Sequence, residues 1–330
     1  MKAPLRRILF VTIFAVVGYG GYAIYTGLGA LGESLDHFSW LAFVAACGLA
    51  FGNYVLRYLK WEFYLARLDI RGVGKVDSFL TFLSGFVLTV TPGKVGEVFK
   101  SWVLFETHGV PIAKTAPIVV AERVTDLIGI ITLIVLGSLG FTGGLMWAGI
   151  GAALVASLIV VIASPTLSLG IVGLVERVPG RVGRLGPKLR EAYASLATML
   201  HPKNLALPTL LSIAAWSLEC LALWVILRGF GETTSVPLCV FFYATSTLAG
   251  AVASTPGGLG VTEGALQKQM RDVGHVPPAT SAGAMMLVRF ATLWFAVLLG
   301  FVALEVLKRR YKGLGATAAA PPALGDAARP

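Results

Sequence analysis

Glu122, Arg123 and Asp126 fall inside residues 114 to 139, a stretch otherwise apolar, and Arg289 falls inside a second apolar stretch, residues 280 to 304. In hydrocarbon an unpaired central Arg or Asp costs about 2.5 to 3.5 kcal/mol on insertion scales, so these side chains must face a protein interior. Glu122 and Asp126 share a helix face at i, i+4. Two chemistries fit. In one, the group is a self-neutralising cluster that locks its helix to a neighbour through Lys94, Glu97 and Lys100. In the other it borders a polar cavity in which Lys94, Arg123 and Arg289 hold an anionic group, while Glu97, Glu122, Asp126 and Glu263 orient or release those bases. Arg289 favours the cavity, because its own stretch holds no acidic residue before Glu305 and its partner must come from elsewhere. Glu263 is the candidate within the chain, and a lipid phosphate is the candidate ligand, since a guanidinium meets phosphate oxygens with a planar two-pronged fit.

The bases are set out by a repeat. Thr-Pro-Gly-Lys-Val-Gly at 91 to 96 returns as Thr-Pro-Gly-Gly-Leu-Gly at 255 to 260. With two residues inserted after Gly260, Glu97 matches Glu263, Glu106 matches Asp272, Pro111 matches Pro277 and Arg123 matches Arg289. The Glu-to-Arg spacing is 26 residues in both copies. Pro removes a backbone donor and Gly favours non-helical dihedrals, so each motif opens the backbone where only a protected cavity tolerates it. Gly93, and Gly257 and Gly258 with the rest of the turn to Gly260, could then offer backbone donors to an anion. Thr91 and Thr255 could cap the broken helices or touch the ligand.

The surrounding elements follow from composition. Of 330 residues 56% are hydrophobic and 13% charged, with a mean hydropathy of +0.79, which excludes a soluble domain and implies an integral membrane protein. The net charge of +10 comes from short blocks between apolar runs, a topology signal and not a nucleic-acid face. Cys47, Cys220 and Cys239 lack metal or disulfide spacing and are read as core residues, and the four His are scattered, so no metal or other cofactor is expected.

Spans are expected at 8 to 28, 39 to 59, 114 to 139, 145 to 164, 207 to 228 and 280 to 304. Arg57, Lys60, Arg67, Arg71 and Lys75 mark the inner side, with Tyr58, Trp61 and Tyr64 as interfacial anchors. Residues 78 to 90 and 97 to 105 are too short to span, so the first motif reads as a re-entrant hairpin; a full span kinked at Pro92 is the alternative. Three full crossings between the motifs would invert the second copy relative to the first, a plan common among secondary transporters. The expected fold is therefore all-α and polytopic, with six full transmembrane helices and two re-entrant hairpins, both termini cytoplasmic. One membrane domain covers 1 to 312, with repeat cores at 78 to 139 and 236 to 304. A basic cytoplasmic insert lies at 165 to 206, where residues 188 to 200 could lie along the membrane surface, and a disordered tail at 313 to 330.

On TPGKVGE at 91 to 97, ER..D at 122 to 126 and STPGGLGVTEG at 254 to 264, the chain resembles the lysylphosphatidylglycerol synthetase transmembrane-domain family, over roughly residues 5 to 310. The resemblance implies a lipid flippase or transporter in a bacterial inner membrane, moving an anionic phospholipid or related lipid. It implies no enzyme, because the aminoacyl-transferase domain of two-domain members would have no room after residue 312. A homo-oligomer and a lipid-synthesising enzyme are compatible partners, and no nucleic acid is expected. The rival classes are a membrane-embedded enzyme on a lipid phosphate, which the scattered His disfavour, and a non-transporting scaffold, which would tolerate loss of Arg123 and Arg289.

Overall fold

A computed structural model describes residues 35–89, 97–140, 198–253 and 255–311, together with the isolated positions 32, 146, 149, 150, 153 and 314. The expected spans at 8 to 28 and, apart from four positions, 145 to 164 lie outside the described residues, as do most of the 165 to 206 insert and almost all of the tail. So does the whole of the first motif, and with it Thr91, Gly93 and Lys94.

The described residues form nine α-helices: α1 Trp40–Arg67, α2 Lys75–Ser84, α3 Phe99–His108, α4 Ile112–Ser138, α5 Pro202–Gly229, α6 Val236–Val252, α7 Val261–Asp272, α8 Pro278–Arg289 and α9 Phe295–Arg310. A 3₁₀ turn, Gly85–Leu88, continues α2, and a π segment, Phe290–Trp294, joins α8 to α9. Among the described residues three helices are long and apolar enough to cross a membrane: Trp40–Arg67, Lys203–Gly229 and the continuous Pro278–Arg310; Val236–Val252 is apolar but shorter. The chain is thus an all-α polytopic membrane protein. α4, with 27 residues, is about 40 Å long at 1.5 Å per residue and carries the Glu122, Arg123 and Asp126 group.

Two expectations for α1 are corrected. The helix runs to Arg67, eight residues past the expected boundary, and Arg57 and Lys60 are buried in the protein instead of marking its inner edge. Trp61 and Tyr64 are likewise fully buried, so they pack the core and do not anchor an interface. Trp61 donates its indole N–H to Ser78 on α2 at 3.2 Å. Met199, expected on a surface-lying helix, is buried in the same core as Trp61.

Lipid supplies no hydrophobic drive between helices, so close backbone approach and interhelical hydrogen bonds must hold them together. α1 lies along α5, where Asn53 donates from Nδ2 to the Ala215 carbonyl at 2.8 Å. α2 and α3 pack together as the arms around the first motif, and α6 and α7 as the arms around the second. The contacts are exchanged between the copies: α2 lies against α9, which follows the second motif, and α6 lies against α4, which follows the first. At both contacts a glycine lets backbone meet backbone. A Cβ at Gly300 would stand 2.8 Å from the Val87 nitrogen and 3.0 Å from the Leu83 oxygen, and one at Gly137 would stand 2.7 Å from the Phe241 nitrogen. Arg310 and Tyr311 extend the α2–α9 contact, reaching Asp77 Oδ1 at 2.5 Å and Oδ2 at 2.9 Å.

Gly300→Ala is therefore expected to destabilise the protein by about 1 to 3 kcal/mol, the usual cost of overpacking. A thermal melt in detergent reads it, with Gly48→Ala as control, because a Cβ there meets nothing within 4 Å. Equal melting temperatures for the two variants would refute the exchanged packing.

Candidate functional site

α4 projects Arg123 and Asp126 toward α1 and the start of α3, where four side chains close a ring of alternating charge. Arg123 Nη2 donates to Glu97 Oε2, and Arg57 Nη2 stands 3.9 Å from the same oxygen. Arg57 Nη2 lies 3.6 Å from Asp126 Oδ2, and Arg123 Nη1 lies 4.0 Å from it. Outside the ring, Asp126 Oδ1 accepts from Lys60 Nζ at 2.6 Å and from Ser212 Oγ on α5 at 2.9 Å. Lys60, fully buried, also reaches the Ser212 and Thr125 hydroxyls at 2.8 and 3.3 Å. The i, i+4 partner Glu122 is turned away from the ring and accepts from Lys100 Nζ at 2.5 Å, with that ammonium over the Trp61 ring at 4.6 Å.

The second copy is built on the same spacing. Arg289, the last residue of α8, donates from Nε to Glu263 Oε1 at 2.7 Å and from Nη2 to the Gly257 carbonyl at 2.8 Å. Glu263 Oε2 accepts the Gly260 N–H at 2.7 Å, so one carboxylate fastens both the start of α7 and the guanidinium. Gly257, Gly258 and Gly260 have φ of 64°, 72° and 84°, which only glycine adopts without strain, and this is the sharp turn that Thr-Pro-Gly-Gly announced. The expectation of free backbone donors there is corrected at two positions. The Gly258 N–H bonds to the Thr255 carbonyl at 3.0 Å and the Gly260 N–H is held by Glu263. Thr255 Oγ1 caps nothing; it is buried without a hydrogen-bond partner among the described residues.

Between the two Glu–Arg pairs lies a cavity of about 240 Å³. Arg123 and Arg289 both line it, as do Asp126, Thr255, Gly257 and Gly258; Glu97 and Glu263, which hold those two arginines, and Glu122 are not among its lining residues. Among the wall residues that the sequence did not single out as site residues are Arg57, Tyr54, Glu219 and Tyr243. By its place near the end of an apolar run Arg57 reads as a topology marker. Glu219 carried a usable signal, because it interrupts the apolar stretch 207 to 228 as Glu122 interrupts its own. Tyr243 donates its hydroxyl proton to Glu219 Oε2 at 2.7 Å, and Tyr54 donates to the Thr292 carbonyl at 2.5 Å, within the π segment beside Arg289. Helix segments of this π type recur at functional sites.

Residues 8–300 match the family model described as the lysylphosphatidylglycerol synthase TM region. The chain belongs to that family. Among its curated relatives, a UPF0104 membrane protein of Methanothermobacter thermautotrophicus is 25% identical over 318 residues, covering 88% of this chain and 93% of that protein. A UPF0104 membrane protein of Methanocaldococcus jannaschii is 22% identical over 275 residues, covering 77% and 81%. Both sources are archaeal, so the relatives support a membrane location and not a bacterial one in particular. Membership in the lysylphosphatidylglycerol synthase TM-region family supports a lipid flippase or transporter function in general. The matched residues are those of the membrane region and not of the aminoacyl-transferase domain, consistent with a transporter that carries out no aminoacyl transfer.

Proposed function

We propose that this protein carries an anionic lipid between leaflets by admitting its phosphate-bearing headgroup to the cavity between the two Thr-Pro-Gly hairpins while the acyl chains stay in the bilayer. One observation carries the reading. Among the described residues three arginines, Arg57, Arg123 and Arg289, line one cavity, a convergence of guanidinium groups suited to the oxygens of an anionic headgroup. Arg57 Nε and Arg123 Nε are buried without hydrogen-bond partners among the described residues, donors of the kind a phosphate oxygen takes. Glu97 and Glu263 hold Arg123 and Arg289. Lys94, with Thr91 and Gly93, belongs by sequence to the tip of the first hairpin and adds a further base.

In the same reading the hairpins are re-entrant and form an inverted repeat, supported by the equal Glu–Arg spacing and by the exchange of each hairpin onto the long helix of the other copy. Both termini then lie on the cytoplasmic side.

Arg123→Ala in reconstituted vesicles is expected to slow flipping of a fluorescent phosphatidylglycerol by about tenfold or more, the equivalent of one lost charge-assisted contact of 1.5 kcal/mol or above. A wild-type rate in this variant would remove the headgroup role and favour a scaffold. Cysteines at Arg71 and Thr107 are expected to react with impermeant reagents from the same side; labelling from opposite sides would replace the first re-entrant hairpin with a full crossing.

A further inference from the structure

We propose that Thr89 and Thr255 read a hydroxyl on the headgroup, so that the lipid carried is a phosphodiester whose headgroup is an uncharged polyol. This selectivity rests on the lipid-carrier reading above and adds the headgroup that the carrier accepts.

The two threonines come from opposite copies of the repeat. Thr89 closes the 3₁₀ turn Gly85–Leu88, just before the first motif, and Thr255 opens the second. Both line the cavity that Arg57, Arg123 and Arg289 line. Thr89 is 6% exposed, and the Oγ1 of each threonine is buried without a hydrogen-bond partner among the described residues. Thr107, Thr132, Thr245 and Thr292 each give the hydroxyl proton to the carbonyl four residues back, at 2.6 to 2.8 Å, a common habit of threonine in a helix. Thr89 has helical dihedrals, φ −58° and ψ −28°, yet gives its proton to no described group. A buried hydroxyl left unmatched is unfavourable, and a ligand in the cavity would match it. Because neither Oγ1 is tied to a described group, each can turn about χ1 toward a ligand without breaking a hydrogen bond.

Donor and acceptor capacity selects the ligand group. Guanidinium groups only donate, and the Nε of Arg57 and of Arg123 are left for phosphate oxygens. A threonine hydroxyl both donates and accepts, which matches an alcohol, itself donor and acceptor. An ammonium headgroup would bring its charge against the three arginines. It would also compete for Asp126 with Lys60 and Arg57, and for Glu219 with the Tyr243 hydroxyl. The five non-hydrogen atoms of a phosphate fill about 150 Å³ at the roughly 30 Å³ that each water takes in the liquid. The cavity is about 240 Å³, so a few headgroup atoms fit beside the phosphate.

The test uses full-length protein in vesicles, with a fluorophore on one acyl chain of the lipid. It compares phosphatidylglycerol with phosphatidylpropanol, which has the same charge and the same three headgroup carbons but no hydroxyl. Wild type is expected to flip phosphatidylglycerol about tenfold faster, the effect of one buried hydrogen bond left unmade. Thr89→Val and Thr255→Val are each expected to lower that preference to about threefold, and the double variant to abolish it. Thr81→Val is the control, because Thr81 is fully buried and its Oγ1 also lacks a partner among the described residues, but it does not line the cavity. Its preference is expected to match wild type. Thr89→Val is expected to melt at or above wild type in detergent, since the hydroxyl it loses is unmatched without lipid. Where a valine variant fails to fold, the melting shifts of wild type with short-chain phosphatidylglycerol and phosphatidylpropanol replace it; equal shifts overturn the proposal. A wild-type preference in both valine variants, the result if water matches the hydroxyls, also overturns it. So does a Thr81→Val variant that loses the preference to the same extent. Wild type that flips phosphatidylpropanol or phosphatidylethanolamine as fast as phosphatidylglycerol overturns it too, yet leaves the carrier reading standing. Wild type that neither flips nor binds any of the three removes both.

Discussion

Replacing Arg289 with alanine is expected to abolish flipping, by at least tenfold and to the detection limit of a vesicle assay. Two bonds are lost, to Glu263 at 2.7 Å and to the Gly257 carbonyl at 2.8 Å, and with them both the base facing the cavity and the tie that holds the second turn closed. Loss of the guanidinium also removes the cation from a carboxylate only 8% exposed, and breaking a buried pair from one side costs about 3 to 5 kcal/mol. Stability and transport must therefore be read apart. Adding Glu263→Gln neutralises the stranded charge, so the double variant is expected to recover much of the melting temperature in detergent while flipping stays lost. Recovery of both would show that Arg289 serves the fold alone. Arg289→Lys keeps the charge but not the two-pronged geometry, and an intermediate rate is expected.

The opposite separation is expected for Lys100 and Glu122, which also form a buried ion pair, at 2.5 Å, but do not border the cavity. Lys100→Met alone strands Glu122, 1% exposed, and is expected to cost about 3 to 5 kcal/mol. Lys100→Met with Glu122→Leu removes both charges together. Apolar replacement of a whole buried pair is often neutral or stabilising by about 1 to 4 kcal/mol, so the double variant should melt at or above wild type. Flipping by the double variant is expected to remain. A double variant that is stable but inactive would move Glu122 from an anchor of α3 on α4 into the transport chemistry.

Arg289 could be paired with Glu263 from the chain alone, because an arginine inside an apolar stretch demands a partner and the recurring 26-residue spacing named one. The second turn was legible for a similarly local reason, since three glycines among six residues can take the dihedrals it needs. Arg57 and Lys60 were not. A base near the end of an apolar run has the same local pattern whether it meets water or a buried carboxylate, and only Asp126, 66 residues beyond Lys60, distinguishes the two. Trp61 and Tyr64 were misread with them, as aromatic neighbours of a supposed boundary. Tyr54 and Tyr243 carry no sequence signal, because a tyrosine in a helix reveals its hydrogen-bond partner only after packing. The exchange of helix contacts was equally hidden: Gly300 and Gly137 are ordinary membrane-helix glycines until the backbones they admit are known.

That exchange has a consequence for biosynthesis. The ribosome completes α2 more than 200 residues before it completes α9, whose Gly300 receives the Leu83 and Val87 backbone. Until then α2 carries that face without its partner helix, and lipid, the insertion machinery or an earlier helix would have to cover it. Chains released before about residue 300 would expose it permanently, a recognisable mark for membrane quality control.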